Sequence, residues 1–133
     1  MIARQVIREI KIMRKLSSLP GSEKCVTQLL DFKSYEDCDK MNVILVMNYI
    51  GTSLERFFKA NEHRYREKHV KQIIYSLLKS LNFIHKANIM HRDIKPANLL
   101  LTEDLDVVIC DFGLARTIRA QDQQNDVVQG NRE

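Results

Sequence analysis

The side chains best suited to chemistry lie close together between residues 91 and 101, in the stretch HRDIKPANLLL. This stretch contains a base, a carboxylate, a cation and an amide: His91, Asp93, Lys95 and Asn98. A further carboxylate, Asp111, follows an apolar run at residues 107–110. A short polar loop between apolar runs predicts a loop and a hairpin that present two carboxylates and an amide to one site.

These residue types favour phosphoryl transfer. Two carboxylates and an amide oxygen are hard ligands, which suit Mg²⁺ held together with substrate phosphates. A carboxylate that does not bind the metal can orient a hydroxyl group and accept its proton. Lys95 would neutralise charge on the transferred group, in a reaction whose rate comes mainly from positioning and electrostatics.

The stretch resembles the catalytic loop of eukaryotic protein kinases, and residues 111–116 resemble their metal-binding Asp-Phe-Gly motif. The patterns H-R-D-x-K-P-x-N and D-F-G-L-A-R are matched without a substitution. The resemblance implies ATP and Mg²⁺ as cofactors and the serine/threonine class of substrate. It makes Asp93 the catalytic base, Lys95 a contact to the transferred phosphate, and Asn98 a catalytic residue that holds Mg²⁺ together with Asp111.

Composition limits the classes of protein to consider. The chain has 133 residues, 44% of them hydrophobic, which predicts a globular core but is short for a bilobal kinase of roughly 250 residues. Three cysteines without a C-x-x-C pair favour a reduced, intracellular setting. The net charge of +4 is scattered along the chain, so we expect no nucleic-acid partner. The longest apolar run, residues 43–47, is too short to span a bilayer.

An amphipathic helix is predicted for residues 2–17, because apolar residues recur there at helical spacing. Within it, Glu9 resembles the glutamate of the kinase C-helix, which pairs with a strand lysine. Taken alone, a glutamate on a helix is usually a solvated charge. Both interpretations of Glu9 remain open from the sequence.

Residues 25–32 and 41–50 are predicted to form a hairpin that leads into the kinase hinge. The resemblance makes Met47 the gatekeeper of the adenine pocket, although a methionine at a strand end is more often plain core. It also assigns the backbone of Asn48, Tyr49 and Ile50 to adenine, and Leu100 to the lining of the ATP site.

Ser53 and Cys110 are two further candidates at the ATP site. Thr52-Ser53-Leu54-Glu55 has the form of a capping box that opens a helix through Ala60. Many kinases carry an aspartate toward the ribose where this chain has Ser53. Cys110 could be a reactive thiol beside the metal-binding aspartate or a small core residue.

The clearest helical pattern covers residues 70–84, and we expect its apolar face to lie beneath the catalytic loop. The apolar positions are Val70, Ile73, Ile74, Leu77, Leu78, Leu81 and Ile84. By resemblance, His91 is a packing residue in a column with Phe112, Met13 and Leu29, and has no direct chemical role.

The resemblance to protein kinases assigns a regulatory role to Glu9, Arg92, Phe112 and Gly113. An arginine before the catalytic aspartate goes with activation-loop phosphorylation by an upstream kinase, because a buried guanidinium needs a counter-anion. Thr117 is the only hydroxyl residue in the polar stretch 117–133, so we expect the phosphorylation site to lie elsewhere.

The sequence therefore predicts an α+β, protein-kinase-like bilobal fold in truncated form. Residues 1–50 would form an N-lobe remnant and hinge, 51–116 the start of the helical C-lobe, and 117–133 the start of the activation segment. Details such as REIKIMR at residues 8–14 resemble mitogen-activated protein kinases within the CMGC group, which implies a cytoplasmic or nuclear protein. No Gly-x-Gly-x-x-Gly occurs, so a non-catalytic binding or regulatory module is the alternative to an active enzyme.

Overall fold

A computed structural model describes residues 2–38, 40–61 and 64–118. Most of the expected activation segment, from residue 119 onward, lies outside the described residues. The helices are α1 (Ile2–Ser17), α2 (Leu54–Ala60) and α3 (Glu67–Lys86). The strands are β1 (Leu29–Asp37), β2 (Lys40–Met47), β3 (Thr52–Ser53), β4 (Ile89–Met90), β5 (Leu99–Leu101), β6 (Val107–Ile109) and β7 (Arg116–Thr117). This mixture of helices and small antiparallel sheets confirms the predicted α+β class, consistent with a truncated kinase fold.

Helix α1 forms over the predicted residues, and its apolar stripe enters the core through Ile12, Met13 and Leu16. Its last residues are followed by a turn in which Gly21 adopts a φ of 79°. Glycine reaches this left-handed conformation without a steric penalty, so the chain can reverse there. At the same end, Lys15 Nζ donates a hydrogen bond of 2.7 Å to the carbonyl oxygen of Ala87, just beyond α3.

The predicted hairpin exists, but its first strand begins later than expected. β1 starts at Leu29 and pairs with β2 in antiparallel register up to Asp37 and Lys40. Residues 25–27 instead run parallel to β6, since the Ile109 N–H donates to Cys25 O at 2.9 Å and the Thr27 N–H to Ile109 O at 3.1 Å. These two hydrogen bonds join the N-terminal half of the chain to β6, the strand that leads to Asp111.

Helix α2 begins where the sequence predicted, but its cap differs from the predicted capping box. Ser53 is the N-cap residue, and its Oγ accepts a hydrogen bond of 3.3 Å from the Arg56 N–H. Glu55 forms an exposed ion pair with Lys59 at 2.7 Å. A lone serine cap therefore satisfies the backbone amide, as serine commonly does at this position.

Helix α3 buries most of the predicted apolar face. Ile73 and Ile84 are buried and Leu77 and Leu81 pack against the core as expected, whereas Ile74 and Leu78 are 51% and 60% exposed. Ser76 and Ser80 are also buried and contact β6 by hydrogen bonds. Two serines that the apolar stripe did not predict therefore occupy core positions on α3.

Three short strands form the sheet that positions the catalytic stretch, in the order β3-β5-β6. Ser53 pairs with Leu100, and Leu100 pairs with Val108. Gly51 packs against this sheet so closely that a Cβ atom there would collide with the Leu101 carbonyl oxygen. A separate ribbon pairs β4 with β7, so the loops before Asp93 and after Phe112 run side by side.

The core lies between α1, α3 and these strands. Its members include Met13, Val26, Ile84, Ile109 and Phe112. No helix in the described ranges is long and apolar enough to cross a membrane.

Candidate active site

The catalytic stretch is a loop held by its own polar side chains. Asn98 Nδ2 donates to the Asp93 carbonyl oxygen at 3.0 Å and to its carboxylate oxygen Oδ2 at 2.9 Å. Lys95 Nζ donates to the same Oδ2 at 2.7 Å. The Asp93 carboxylate is therefore fixed from two sides by residues two and five positions away in the chain.

His91 connects this loop to the Asp-Phe-Gly stretch. Its Nδ1 accepts a hydrogen bond of 3.2 Å from the Asp93 N–H, so Nε2 carries the proton and donates to Cys110 O at 2.9 Å. The ring is buried and packs edge-on against Phe112, with ring centroids 5.0 Å apart. These contacts fit the packing role that the sequence predicted for His91, in a core that also contains Met13 and Leu29.

Asp111 follows β6 and lies close to Asn98 along the backbone. The Cys110 N–H donates to Asn98 O at 3.0 Å, which brings the aspartate within one residue of that contact. Asp111 has a φ of 62°, in the left-handed region, and its Oδ1 accepts from the Gly113 N–H at 3.3 Å. Such backbone strain is uncommon outside glycine and concentrates at functional sites.

Electrostatic interactions couple the charged groups of the loop. The hydrogen bond from Lys95 holds the pKa of Asp93 below its ordinary value, with partial desolvation opposing and the Asn98 amide reinforcing the shift. The same bond raises the pKa of Lys95, and the charges of Asp93 and Asp111 reinforce this rise. Asp93 is therefore ionised and Lys95 protonated at neutral pH.

The donor set fits a magnesium ion shared with phosphates. Asn98 uses its amide nitrogen for both bonds to Asp93, which leaves its amide oxygen as the atom to offer a cation. Asp111 supplies an exposed carboxylate nearby. Mg²⁺ is commonly held by one or two protein ligands plus substrate phosphates. A group of three or more His, Cys, Asp or Glu side chains that could hold a metal ion is absent from the described residues.

Glu9 reaches the Asp-Phe-Gly stretch from α1. A Cβ atom on Gly113 would lie 3.8 Å from Glu9 Oε2 and 3.3 Å from Asp111 Oδ1, so both carboxylates approach this glycine. Burial raises the pKa of Glu9, and the charge of Asp111 raises it further. No lysine in the described part of the chain forms an ion pair with Glu9.

The predicted hinge residues lie at the end of β2. Met47 is 42% exposed and Tyr49 is 90% exposed, so neither is a plain core residue. Asn48 is anchored to the preceding loop, because its Oδ1 accepts from the Gln28 N–H at 2.8 Å and its N–H donates to Gln28 O at 3.2 Å. Ile50 and Leu100 are both partly buried. The assignment of Met47 and residues 48–50 to the adenine pocket, and of Leu100 to the lining of the ATP site, stays a prediction.

Cys110 is poorly suited to be a resting nucleophile. Its Sγ lies 3.4 Å from Asn98 O and donates to it, and burial raises the pKa of the thiol to about 11, with Asp111 adding to the effect. The thiolate is the reactive form of cysteine. The structure therefore disfavours the reactive interpretation of Cys110, which is a half-buried residue.

Two arginines join Arg92 in a group that the sequence interpretation missed. The pKa of Arg116 is lowered by desolvation and by the positive charges of Arg8 and Arg92, which both act on its guanidinium group. None of them forms an ion pair within the described residues. They come from α1, the catalytic loop and β7. The signals in the sequence that could have indicated the group are Arg8, just before Glu9, and Arg116, shortly after the Asp-Phe-Gly motif.

The structure thus brings together Asp93, Lys95, Asn98 and Asp111, and the Glu9 carboxylate lies beside Gly113. Ser53 lies on the neighbouring strand, where its Oγ caps α2. Its contact to ribose stays a prediction.

A family model described as the protein kinase domain matches residues 1–132. The match covers nearly the whole chain and includes both the catalytic loop and the Asp-Phe-Gly stretch. This chain belongs to the protein kinase family.

The relatives it resembles are mitogen-activated protein kinases. Mitogen-activated protein kinase pmk-3 of Caenorhabditis elegans is 37% identical over 124 residues, which cover 90% of this chain and 25% of that protein. Mitogen-activated protein kinase 1 of Oryza sativa subsp. japonica is 33% identical over 127 residues, 95% of this chain and 30% of that protein. Mitogen-activated protein kinase 5 of Arabidopsis thaliana is 36% identical over 115 residues, 86% of this chain and 29% of that protein. The chain thus spans about a quarter to a third of the length of these relatives.

Proposed function

We propose that this chain carries the catalytic centre of a serine/threonine kinase that resembles mitogen-activated protein kinases and transfers the terminal phosphoryl group of Mg·ATP to a protein hydroxyl. The observation that carries the proposal is the Asp93 carboxylate, fixed at 2.7 Å by Lys95 and at 2.9 Å by Asn98. This arrangement supports a role for Asp93 in orienting the acceptor hydroxyl and taking its proton.

The remaining roles follow from the charges around Asp93. Asn98, through its amide oxygen, and Asp111 would hold Mg²⁺, which when bound neutralises phosphate charge. Lys95 would donate to an oxygen of the transferred group and stabilise charge there. Met47, the backbone of residues 48–50, Leu100 and Cys110 would border the nucleotide, and Ser53 would lie near its ribose.

The arginine group supports control by phosphorylation. Arg8, Arg92 and Arg116 come from three different elements, and the charges of Arg8 and Arg92 both repel Arg116, so a phosphate placed beside Arg116 would be attracted by all three. We infer an upstream activating kinase and an intracellular protein, cytoplasmic or nuclear, as for a member of a signalling cascade. Phe112 and Gly113 would transmit the state of this group, since Phe112 packs on His91 of the catalytic loop and Gly113 lies beside Glu9 of α1.

A second candidate function is a non-catalytic binding module that retains the nucleotide site. It is favoured by Glu9, whose carboxylate forms no ion pair with a lysine in the described residues. In protein kinases such a pair positions the ATP phosphates.

The deciding experiment measures phosphate transfer from labelled ATP to a serine/threonine peptide by the full chain, together with Mg·ATP binding. We expect transfer that falls by about 10² to 10⁴-fold in Asp93→Asn, while nucleotide binding persists, because the base acts on the acceptor hydroxyl. Asp104→Asn, an exposed aspartate in the turn after β5, serves as the matched control.

Two outcomes would decide against the enzyme. Asp93→Asn with more than a tenth of wild-type turnover would contradict the assigned base. Binding of Mg·ATP by the wild-type chain without any transfer would favour the non-catalytic module.

A further inference from the structure

A pocket of about 270 Å³ lies where the loop after α1 meets the last turns of α3. It shares no lining residue with the candidate active site. The helical wall consists of residues 79, 82, 83 and 86, which fall on one face of α3 because they follow helical spacing. The opposite wall is the loop from Pro20 to Cys25. We call this concavity the lysine pocket.

The rim of the lysine pocket is positive. Lys24, Lys79 and Lys86 line it, and no carboxylate does. All three side chains are exposed, and none forms an ion pair within the described residues. Glu23, in the same turn as Lys24, lies outside the lining.

Helix stability alone does not account for this charge. Lysines near a helix C-terminus interact favourably with its dipole, which could explain Lys86. However, Lys15 already donates to the Ala87 carbonyl at that end, and Lys24 belongs to another element. The convergence of lysines from two elements therefore points to an anionic partner.

Part of the lining of the lysine pocket is apolar, and we call this part its floor. It consists of Phe83, which is partly buried, Cys25, which is buried, and Pro20. A bare phosphate would leave this surface unused, whereas a bulky apolar side chain would cover it. The combination of an apolar floor and a cationic rim is complementary to a peptide that carries one apolar anchor between acidic residues.

We propose that the lysine pocket binds an acidic peptide segment of a partner protein. One apolar side chain of the segment sits on Phe83, and flanking carboxylates pair with Lys24, Lys79 and Lys86. A single-stranded nucleic acid fits less well, because Phe83 is the only aromatic residue in the lining and stacking needs exposed aromatic faces.

The test uses fluorescence anisotropy of a labelled peptide, Glu-Glu-Asp-Phe-Glu-Glu, titrated with the full chain. We expect Lys79→Glu and Lys86→Glu each to weaken binding by roughly fivefold or more, because each replaces an attraction with a repulsion. Lys68→Glu, on the first turn of the same helix, is the matched control and should change the Kd by less than about twofold. Replacing the peptide phenylalanine with alanine should also weaken binding by roughly fivefold or more.

Circular dichroism verifies that the exposed-lysine variants keep their fold. The proposal is overturned if Lys68→Glu weakens binding as much as the pocket variants, since the attraction would then be general. It is also overturned if the alanine peptide binds equally well. Binding of an oligouridylate or of phosphatidylserine vesicles that depends on Lys79 and Lys86, without peptide binding, would replace the peptide with that ligand class. None of these failures bears on phosphoryl transfer, because the two sites share no residue.

Discussion

Single residues in the catalytic loop act through a few short contacts. Asn98 bonds to both the backbone and the carboxylate of Asp93, and His91 bonds to the backbone on both sides of the site. The motif predicted which residue types meet here, because their spacing places them in one short loop. The hydrogen bonds that join them depend on backbone geometry and emerged only from the structure.

The pKa of Asp93 should depend on Lys95. The Lys95 hydrogen bond is the largest cause that holds the pKa of Asp93 below its ordinary value, so Lys95→Met should raise that pKa. A lower pKa keeps the Asp93 carboxylate ionised to lower pH, and a rise in that pKa means that ionised Asp93 is lost at a higher pH as the pH falls. Carboxyl ¹³C NMR titration measures the shift directly.

A second exposed lysine–carboxylate pair provides the control for this titration. Lys59 lies 2.7 Å from Glu55, the same separation as in the Lys95–Asp93 pair. Lys59→Met should raise the pKa of Glu55 and leave that of Asp93 unchanged. An Asp93 titration that is identical in wild type and Lys95→Met would contradict the assigned contact.

Cys110 should resist alkylation. Its pKa of about 11 leaves roughly one thiol in a thousand ionised at pH 8, and the thiolate is the form that reacts. Cys38 is exposed and serves as the internal comparison. Iodoacetamide labelling followed by peptide mass spectrometry should modify Cys38 roughly tenfold faster or more. Equal or faster labelling of Cys110 would restore the reactive interpretation.

Helix α3 shows at the scale of elements where sequence patterns mislead. Its apolar stripe predicted the helix and most of its buried positions, but Ser76 and Ser80 also enter the core while Ile74 and Leu78 are exposed. Serine is usually exposed, so no apolar pattern could have selected these positions. Their burial is explained by bonds to β6, the strand that leads to Asp111.

The two serines should stabilise the fold through β6. Ser80 Oγ donates to Val107 O at 2.7 Å, and Ser76 Oγ accepts from the Val107 N–H at 2.8 Å. Replacing either with alanine leaves a buried backbone group of Val107 without that partner, which costs about 1–3 kcal/mol. Denaturant unfolding of Ser76→Ala and Ser80→Ala measures the loss.

Ser34→Ala, on the exposed strand β1, is the control for these unfolding measurements. It should change the free energy of unfolding by less than about 0.5 kcal/mol. If Ser76→Ala and Ser80→Ala also change the free energy of unfolding by less than about 0.5 kcal/mol, the hydrogen bonds to Val107 contribute little to stability.

At the scale of the whole molecule, the site depends on contacts between distant parts of the chain. α1 supplies Glu9 and Arg8, and it is held by core packing and by the bond from Lys15 to Ala87. The sequence predicted Glu9 from its resemblance to the kinase C-helix, but it did not predict the arginine group, whose members are far apart in the chain. Spatial convergence of this kind follows from the packing of elements, which local patterns do not encode.

The most direct test of the proposed metal site is a calorimetric titration of ATP, with and without Mg²⁺, into the wild-type chain and Asp111→Ala. We expect Asp111→Ala to weaken nucleotide binding strongly when Mg²⁺ is present and little when it is absent, because the carboxylate would reach phosphate only through the metal ion. Asp104→Asn should match wild type under both conditions. Equal losses in Asp111→Ala with and without Mg²⁺ would contradict the assignment of Asp111 to the metal and with it the proposed phosphoryl-transfer centre.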